Sequence, residues 1–444
     1  MTAESEIVET AMLPALRQER DLPAKSSGAS GLPPKIDGKV LRNAAAAGLI
    51  GLLVLLFGIR TPRTILFDEN YYVPAAKAIT HGSLNMDPGE PPMGKMLMAI
   101  GMKVAGDNPL GWRISSAICG ALALVAIFLW TQLLFGDQTV SMYAAALTLF
   151  NNFLFVMSRV GMMDIFLVFF LLWALVAYTA AFQSDLSTAK QRFLLLGSGF
   201  LLGLAGACKW NAVDTLAVLL VMGLALPWVS KLTLVPPSST LSRFSENLRR
   251  VGTPSLLFAM IVVPLFSYWL VYWVLYRAVH LPFGFQDFVQ LNYGMWRYHR
   301  LDPSHPTMTR PWYQWPFVMS PSRVFSYLMG NPVVMFGGFA SMLFCLWRSW
   351  KSFGVSEALV VALYAANLLQ WAVTPSGAAH YYYYFPAAMF LGVALGIAVH
   401  RLPTVFGMRI GVLAVTATVV IFIWCYPRMA HLDAPWDCML GCWP

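Results

Sequence analysis

Apolar runs recur along this chain too often, and at too great a length, for a water-soluble core. They fall at about 44–59, 114–135, 140–157, 165–182, 193–207, 212–230, 254–276, 331–347, 357–373, 384–399 and 409–426. Each approaches the ~20 residues a helix needs to cross a bilayer, and the shorter ones borrow flanking residues. Lipid offers the backbone no hydrogen-bond partner, so such segments must be helical. The expectation is an all-α polytopic membrane protein with about eleven transmembrane helices. Inside the runs the only charge is Asp214, with Glu357 and Arg409 at edges. Composition agrees: 58% of residues are hydrophobic and 11% charged, against roughly 45–50% and 25% in soluble domains. Six Cys in 444 residues are too sparse for a disulfide scaffold. A net charge of +9 would suggest nucleic acid in a soluble protein. Here it reflects membrane topology and anionic lipid, and no nucleic-acid partner is expected.

Residues 1–42 mix Glu, Lys, Ser, Gly and Pro without apolar periodicity and read as a disordered cytoplasmic tail. The first run lacks a signal-peptide cleavage site and reads as an uncleaved anchor. The transmembrane domain is expected over 43–426, followed by an outer tail over 427–444. With the N-terminus inside, the inner loops hold Lys190, Arg192, Lys231, Arg243, Arg249, Arg250, Arg348, Lys351, Arg401 and Arg409. The short outer loops hold only Arg159 and Lys209. That asymmetry is the positive-inside pattern, and it places a multi-pass protein in the plasma (inner) membrane. An odd number of spans leaves Cys438 and Cys442 outside, where their spacing leaves a disulfide open.

Two loops, about 60–112 and 279–330, are too long to be connectors, and both fall outside. The first opens with Phe67-Asp68-Glu69-Asn70-Tyr71-Tyr72. Its carboxylate pair reads either as a general base with an orienting partner or as a solvated loop start. Glu90-Pro91-Pro92-Met93-Gly94-Lys95 then sets Lys95 at a helix start, where the dipole suits a phosphate. Interfacial snorkelling is the alternative for that lysine. Arg113 opens the second span, and Arg159 and Asp164 flank the turn between the third and fourth. A helix cap is the ordinary reading of Asp164. Assembly changes the weighing: few ionisable groups occur, and these share one membrane face.

The stretch from Phe67 to Leu175 resembles the glycosyltransferase 39 family, the polyprenyl- or dolichyl-phosphate-mannose:protein mannosyltransferases, and its bacterial members above all. The resemblance rests on Asp68-Glu69, the Pro-Pro turn ending at Lys95, Asn108-Pro109-Leu110-Gly111-Trp112-Arg113, and Ser158-Arg159 through Asp164. It continues in Cys208-Lys209-Trp210-Asn211, Tyr298-His299, His305-Pro306, Pro311-Trp312-Tyr313-Gln314-Trp315-Pro316, Asn331-Pro332 and His380-Tyr381. One departure is clear: Glu90 stands where the family carries histidine.

The resemblance implies a GT-C type glycosyltransferase whose donor is a sugar on a polyprenyl-phosphate carrier, with its active site on the outer (periplasmic or extracellular) face. Lys95, Arg113 and Arg159 are expected at the donor phosphate. Asp68 is expected as the base that takes the acceptor hydroxyl's proton, with Glu69 orienting it. Asp164, Trp312, Trp315 and His380 are expected at the sugar or acceptor. No ligand spacing calls for a metal, and no cofactor is expected beyond the lipid-linked sugar. The expected function is inverting transfer of mannose or a related sugar to Ser/Thr hydroxyls of exported proteins. A sister enzyme acting on a glycolipid or envelope glycan fits the same residues. A transporter would instead set ionisable groups at mid-membrane, and a non-catalytic scaffold needs no acid–base set.

Overall fold

Each apolar run becomes helical in the computed structural model, which describes residues 36–85, 89–183, 186–232, 235–236, 239–301, 309–318, 328–373 and 378–430. In chain order the first helices are α1 (Gly38–Leu56), α2 (Glu69–Thr80), α3 (Met93–Ala105), α4 (Pro109–Phe135), α5 (Gln138–Leu149) and α6 (Asn152–Met157). Next come α7 (Met163–Ala181), α8 (Thr188–Gly206), α9 (Ala212–Val229), α10 (Thr240–Val251) and α11 (Thr253–Ala278). The last are α12 (Phe285–Leu301), α13 (Pro332–Ser352), α14 (Val355–Leu369), α15 (Phe385–His400) and α16 (Thr404–Met429). Among the described residues, nine helices are long and apolar enough to cross a membrane.

The two remaining runs explain the difference from eleven. Run 140–157 breaks into α5 and α6 at Phe150 and Asn151. The backbone freed there finds partners in Asn331, whose Nδ2 donates to Phe150 O (3.2 Å) and Thr418 O (2.9 Å). Asn331 N donates in turn to Asn151 Oδ1 at 3.3 Å, so polar side chains close a break that lipid could not. The other run is α8, whose first turn carries Lys190, Gln191 and Arg192.

Two further expectations are corrected. Helix α1 starts at Gly38, inside the segment read as tail, because Asp37 caps it by accepting from Val40 N at 2.8 Å. The long loops are also folded: the first contains α2 and α3, and the second contains α12 and strand β1 (Thr309–Pro311). β1 pairs antiparallel with β2 (Ala378–His380), Thr309 opposite His380. The tail up to residue 35, His305, Cys438 and Cys442 lie outside the described residues.

Helix α15 forms the centre, with nearly all of its residues buried. It packs on α5, α13 and α14, while α4 joins α1 to α7 and α7 joins α8. Helices α8 and α11 approach closely because Gly199 and Gly203 lie one turn apart. A methyl on Gly199 would stand 1.9 Å from Ala259 O, and on Gly203 1.9 Å from Ser267 Oγ. At one end of the bundle the N-termini of α4, α7, α9 and α15 gather beside α2 and α3.

Candidate active site

Helices α2 and α3 are amphipathic at helical spacing. Glu69, Tyr72, Val73 and Ala76 form the buried stripe of α2, and Lys95, Met98, Ala99 and Met102 that of α3. Gly94 lets the start of α3 press on α7, since a Cβ there would lie 2.4 Å from Met163 Sδ. Met93 N donates to Ala207 O at 2.9 Å, which lays the Pro-Pro turn along the Ala207–Lys209 segment.

Glu69 and Arg113 form a bidentate pair at 2.8 Å and 2.8 Å, both side chains 0% exposed. Glu69 also accepts from Leu66 N and Gly161 N, each at 2.8 Å. The rest of the Arg113 guanidinium donates to the carbonyls of Pro62 (2.8 Å), Thr64 (2.9 Å) and Ile59 (3.5 Å). All five guanidinium N–H groups are therefore engaged within the protein. Arg159 is engaged in a similar way. It donates to Leu55 O (2.8 Å), Phe57 O and Gly58 O (2.8 Å) at the C-terminal end of α1, over the Phe155 ring. This is the negative end of the helix dipole. Arg113 and Arg159, expected at the donor phosphate, thus have their guanidinium groups on protein acceptors. Glu69 likewise has its oxygens filled rather than turned to an acceptor.

A second ionic cluster was not expected. Lys209 Nζ lies 3.1 Å and 3.2 Å from the two Asp164 oxygens and 3.6 Å from Glu90 Oε1. It also stands over the rings of Tyr383 (4.3 Å) and Tyr382 (5.5 Å). Burial alone would lower its pKa, but the Asp164 and Glu90 carboxylates outweigh that and raise it, so Lys209 stays charged. Glu90 is itself buried, and its backbone is gripped from two sides. Lys95 Nζ donates to Glu90 O at 2.6 Å, and His299 of α12 bonds Gly89 O at 2.6 Å. Lys95 Nζ also lies 6.0 Å from the Tyr72 ring centre.

Asp68 differs from its neighbour. It precedes α2 without capping it, is half-buried, and accepts from the Tyr382 hydroxyl at 3.2 Å. Phe67, immediately before it, has φ +41°, a left-handed backbone uncommon for an aromatic residue. Edge contacts hold the Phe67 ring to His380 (6.0 Å) and Tyr382 (5.8 Å). His380 stacks on Tyr382 at 5.5 Å and 11°. Late and early parts of the chain meet here.

The structure therefore brings Asp68, Glu69, Lys95, Arg113, Asp164 and His380 to one end. Trp315 lies behind these residues, fully buried between Trp371 (5.7 Å) and Tyr384 (6.2 Å), with its indole N–H on Arg310 O. The expected sugar-stacking role does not suit an enclosed ring. Trp312 is half-buried and packs edge-on to Tyr313. No group of three or more His, Cys, Asp or Glu able to hold a metal ion occurs among the described residues. Lys209, Glu90 and Tyr382 were missed as site residues. The signal for Lys209 was present, since it is one of two cations in the short loops of that face.

Comparison with known proteins finds likeness to the same family that the motifs resemble. The family model described as dolichyl-phosphate-mannose-protein mannosyltransferase matches residues 89–237. The polyprenol-phosphate-mannose–protein mannosyltransferase of Corynebacterium glutamicum is 25% identical, over 76% of this chain and 77% of its own. Among solved structures, the S. cerevisiae protein O-mannosyltransferase Pmt1–Pmt2 complex bound to the sugar donor superposes with a TM-score of 0.77 at 14% identity, covering 94% of each chain. ArnT from Cupriavidus metallidurans bound to undecaprenyl phosphate gives a TM-score of 0.59 at 14% identity, over 87% of this chain and 73% of its own. The fold is that of the GT-C glycosyltransferases.

Proposed function

We propose that this chain, a relative of the polyprenol-phosphate-mannose–protein mannosyltransferases, is an inverting membrane glycosyltransferase. It moves mannose from a polyprenyl-phosphate carrier to Ser/Thr hydroxyls of protein acceptors. One observation carries the reading. The half-buried carboxylate of Asp68 accepts from Tyr382, whose ring stacks on His380 and lies 5.5 Å from the Lys209 ammonium, at one end of a GT-C bundle.

The chemistry follows from these residues. Asp68 removes the acceptor hydroxyl's proton as that oxygen attacks C1 of the sugar. The C1–O bond to phosphate breaks, its electron pair leaves on the phosphate oxygen, and the anomeric centre inverts. Lys95 at the start of α3 supplies positive potential to the departing phosphate, and Lys209 offsets the Asp164 and Glu90 carboxylates beside it. Asp164 and His380, joined to the base through Lys209 and the Tyr382 ring, meet the sugar or acceptor. Glu69, Arg113 and Arg159 hold the scaffold. The donor's isoprenoid tail lies in surrounding lipid, and the site faces the outer side of the cell membrane, where exported acceptors pass.

The purified chain in lipid nanodiscs, given polyprenyl-phosphate-mannose and a Ser/Thr-rich peptide, should yield a peptide one hexose heavier by mass spectrometry. Transfer only to a glycolipid acceptor would overturn the protein-acceptor reading. Orientation is tested by impermeant labelling of intact cells. Ser83→Cys, beside α2, should react, and Glu246→Cys, on the exposed face of α10, should not.

A further inference from the structure

We propose that Tyr382 is a positioning residue for the base: its hydroxyl fixes the Asp68 carboxylate and favours its ionised form. The inference rests on the reading above that Asp68 takes the acceptor's proton.

The phenol is a proton donor at neutral pH, and a carboxylate is acceptor-only when ionised. The Tyr382 hydroxyl donates to Asp68 Oδ2 at 3.2 Å, across 314 residues of sequence. Its ring is held on several sides, so the hydroxyl keeps its aim. His380 stacks on one face, while Phe67 (5.8 Å) and Tyr383 (4.5 Å) meet it at steep angles. Lys209 Nζ lies 5.5 Å from its centre, and Lys209 is itself fixed by Asp164 and Glu90. Only 3% of Tyr382 is exposed. A ring so enclosed is not needed merely to fill space at the rim of a site, where the phenylalanine alternative would avoid burying a hydroxyl. Its polar end faces Asp68, which is half-buried, while Glu69, Glu90 and Asp164 are buried.

A hydrogen bond given to the charged form of an acid lowers its pKa. Other ionisable groups also face this pair: Tyr72 from α2, Lys95 from α3, Glu90 from the turn before it, Asp164 from α7, Lys209 from before α9, and His380 and Tyr383 beside it. Glu69 and Arg113 adjoin as a mutually neutral pair. All of these are shared by the parent and by Tyr382→Phe, which deletes one oxygen and keeps the ring over Lys209. The variant therefore isolates the hydroxyl.

The test is the pH profile of kcat/KM for the full chain in nanodiscs, with polyprenyl-phosphate-mannose and a peptide acceptor. Tyr382→Phe should move the acidic limb upward by about half to one pH unit, the scale of one hydrogen bond to a carboxylate. Below the limb its rate should fall roughly three- to tenfold, with donor KM unchanged. Tyr382→fluorotyrosine keeps the hydroxyl and strengthens it as a donor, so its limb should move to lower pH. This second variant serves if the phenylalanine protein does not fold. An unmoved limb in a folded variant, with Asp68→Asn inactive, overturns the role of Tyr382 alone. Turnover persisting in Asp68→Asn overturns the base assignment, and this inference with it.

Discussion

Asp68 and Glu69 differ by one methylene and one position, yet Glu69 is fully buried with four hydrogen bonds while Asp68 is half-buried against a tyrosine hydroxyl. The divergence comes from the start of α2. Successive helical residues turn by about 100°, so neighbours cannot face the same way. Glu69 lies on the stripe that packs into the bundle, where Arg113 and two backbone N–H groups meet it. Asp68 is turned toward β2 and the tyrosines. A carboxylate pair in sequence thus parts in space into a buried anchor and the half-buried group proposed above as the base. What separates them is burial and partner: Arg113 and two backbone N–H groups for Glu69, the Tyr382 hydroxyl for the half-buried Asp68.

The largest effect expected from this contrast is on chemistry. Asp68→Asn keeps shape and hydrogen bonding but cannot take a proton, so turnover should drop about 10²–10⁴-fold with donor binding retained. Glu69→Gln in a folded protein should cost far less turnover, and the reverse ranking would exchange the two roles. Stability should show the opposite order. Arg113→Ala leaves Glu69 buried without its cation, at a cost of about 3–5 kcal/mol in unfolding free energy measured in detergent. Asp68→Asn should leave stability nearly unchanged. Equal stability losses in the two variants would break the comparison.

A smaller effect separates Lys95 from Arg113 as candidate phosphate contacts. Lys95→Ala should weaken donor use by about ten- to a hundredfold, the equivalent of roughly 1.5–3 kcal/mol for a charge-assisted contact. It should do so without the stability loss of Arg113→Ala. Donor titration beside thermal melting distinguishes them. The smallest effect concerns the surface pair Lys77–Asp107 (2.6 Å), which ties α2 to the turn before α4. Hydrogen bonds from Lys77 and Trp112 hold the Asp107 pKa below its ordinary 3.8. A depressed folded pKa stabilises above the unfolded value and loses that contribution as pH falls through the folded one. Asp107→Asn should therefore cost less than about 1 kcal/mol near neutral pH. The difference from the parent should vanish at strongly acid pH.

Hydropathy was enough to find every spanning segment, because a bilayer leaves an apolar run one way to satisfy its backbone. It could not locate the break at Asn151, since the partner that makes the break tolerable, Asn331, lies 180 residues away. The site residues were legible as a set and not by role. Arg113 and Lys95 are both cations near a helix start, and sequence alone does not say which one meets a carboxylate 44 positions earlier. Glu90 read as a departure from a motif, whereas in space it completes the charge shell of Lys209. Trp315 looked like an interfacial or sugar-facing ring, but the β1–β2 pairing carries it inside.

The contact between Asp68 and Tyr382 also bears on when activity can arise during synthesis. Its two halves are separated by 314 residues, so the early part of the chain is inserted long before the late part emerges. Contacts of such sequence separation form last. A nascent or truncated chain would carry the acidic pair, the Lys95 turn and the Arg113 anchor, yet lack the group that aims the reactive carboxylate. On the proposed mechanism, catalytic competence arrives only once β2 and the tyrosines that follow it are in place.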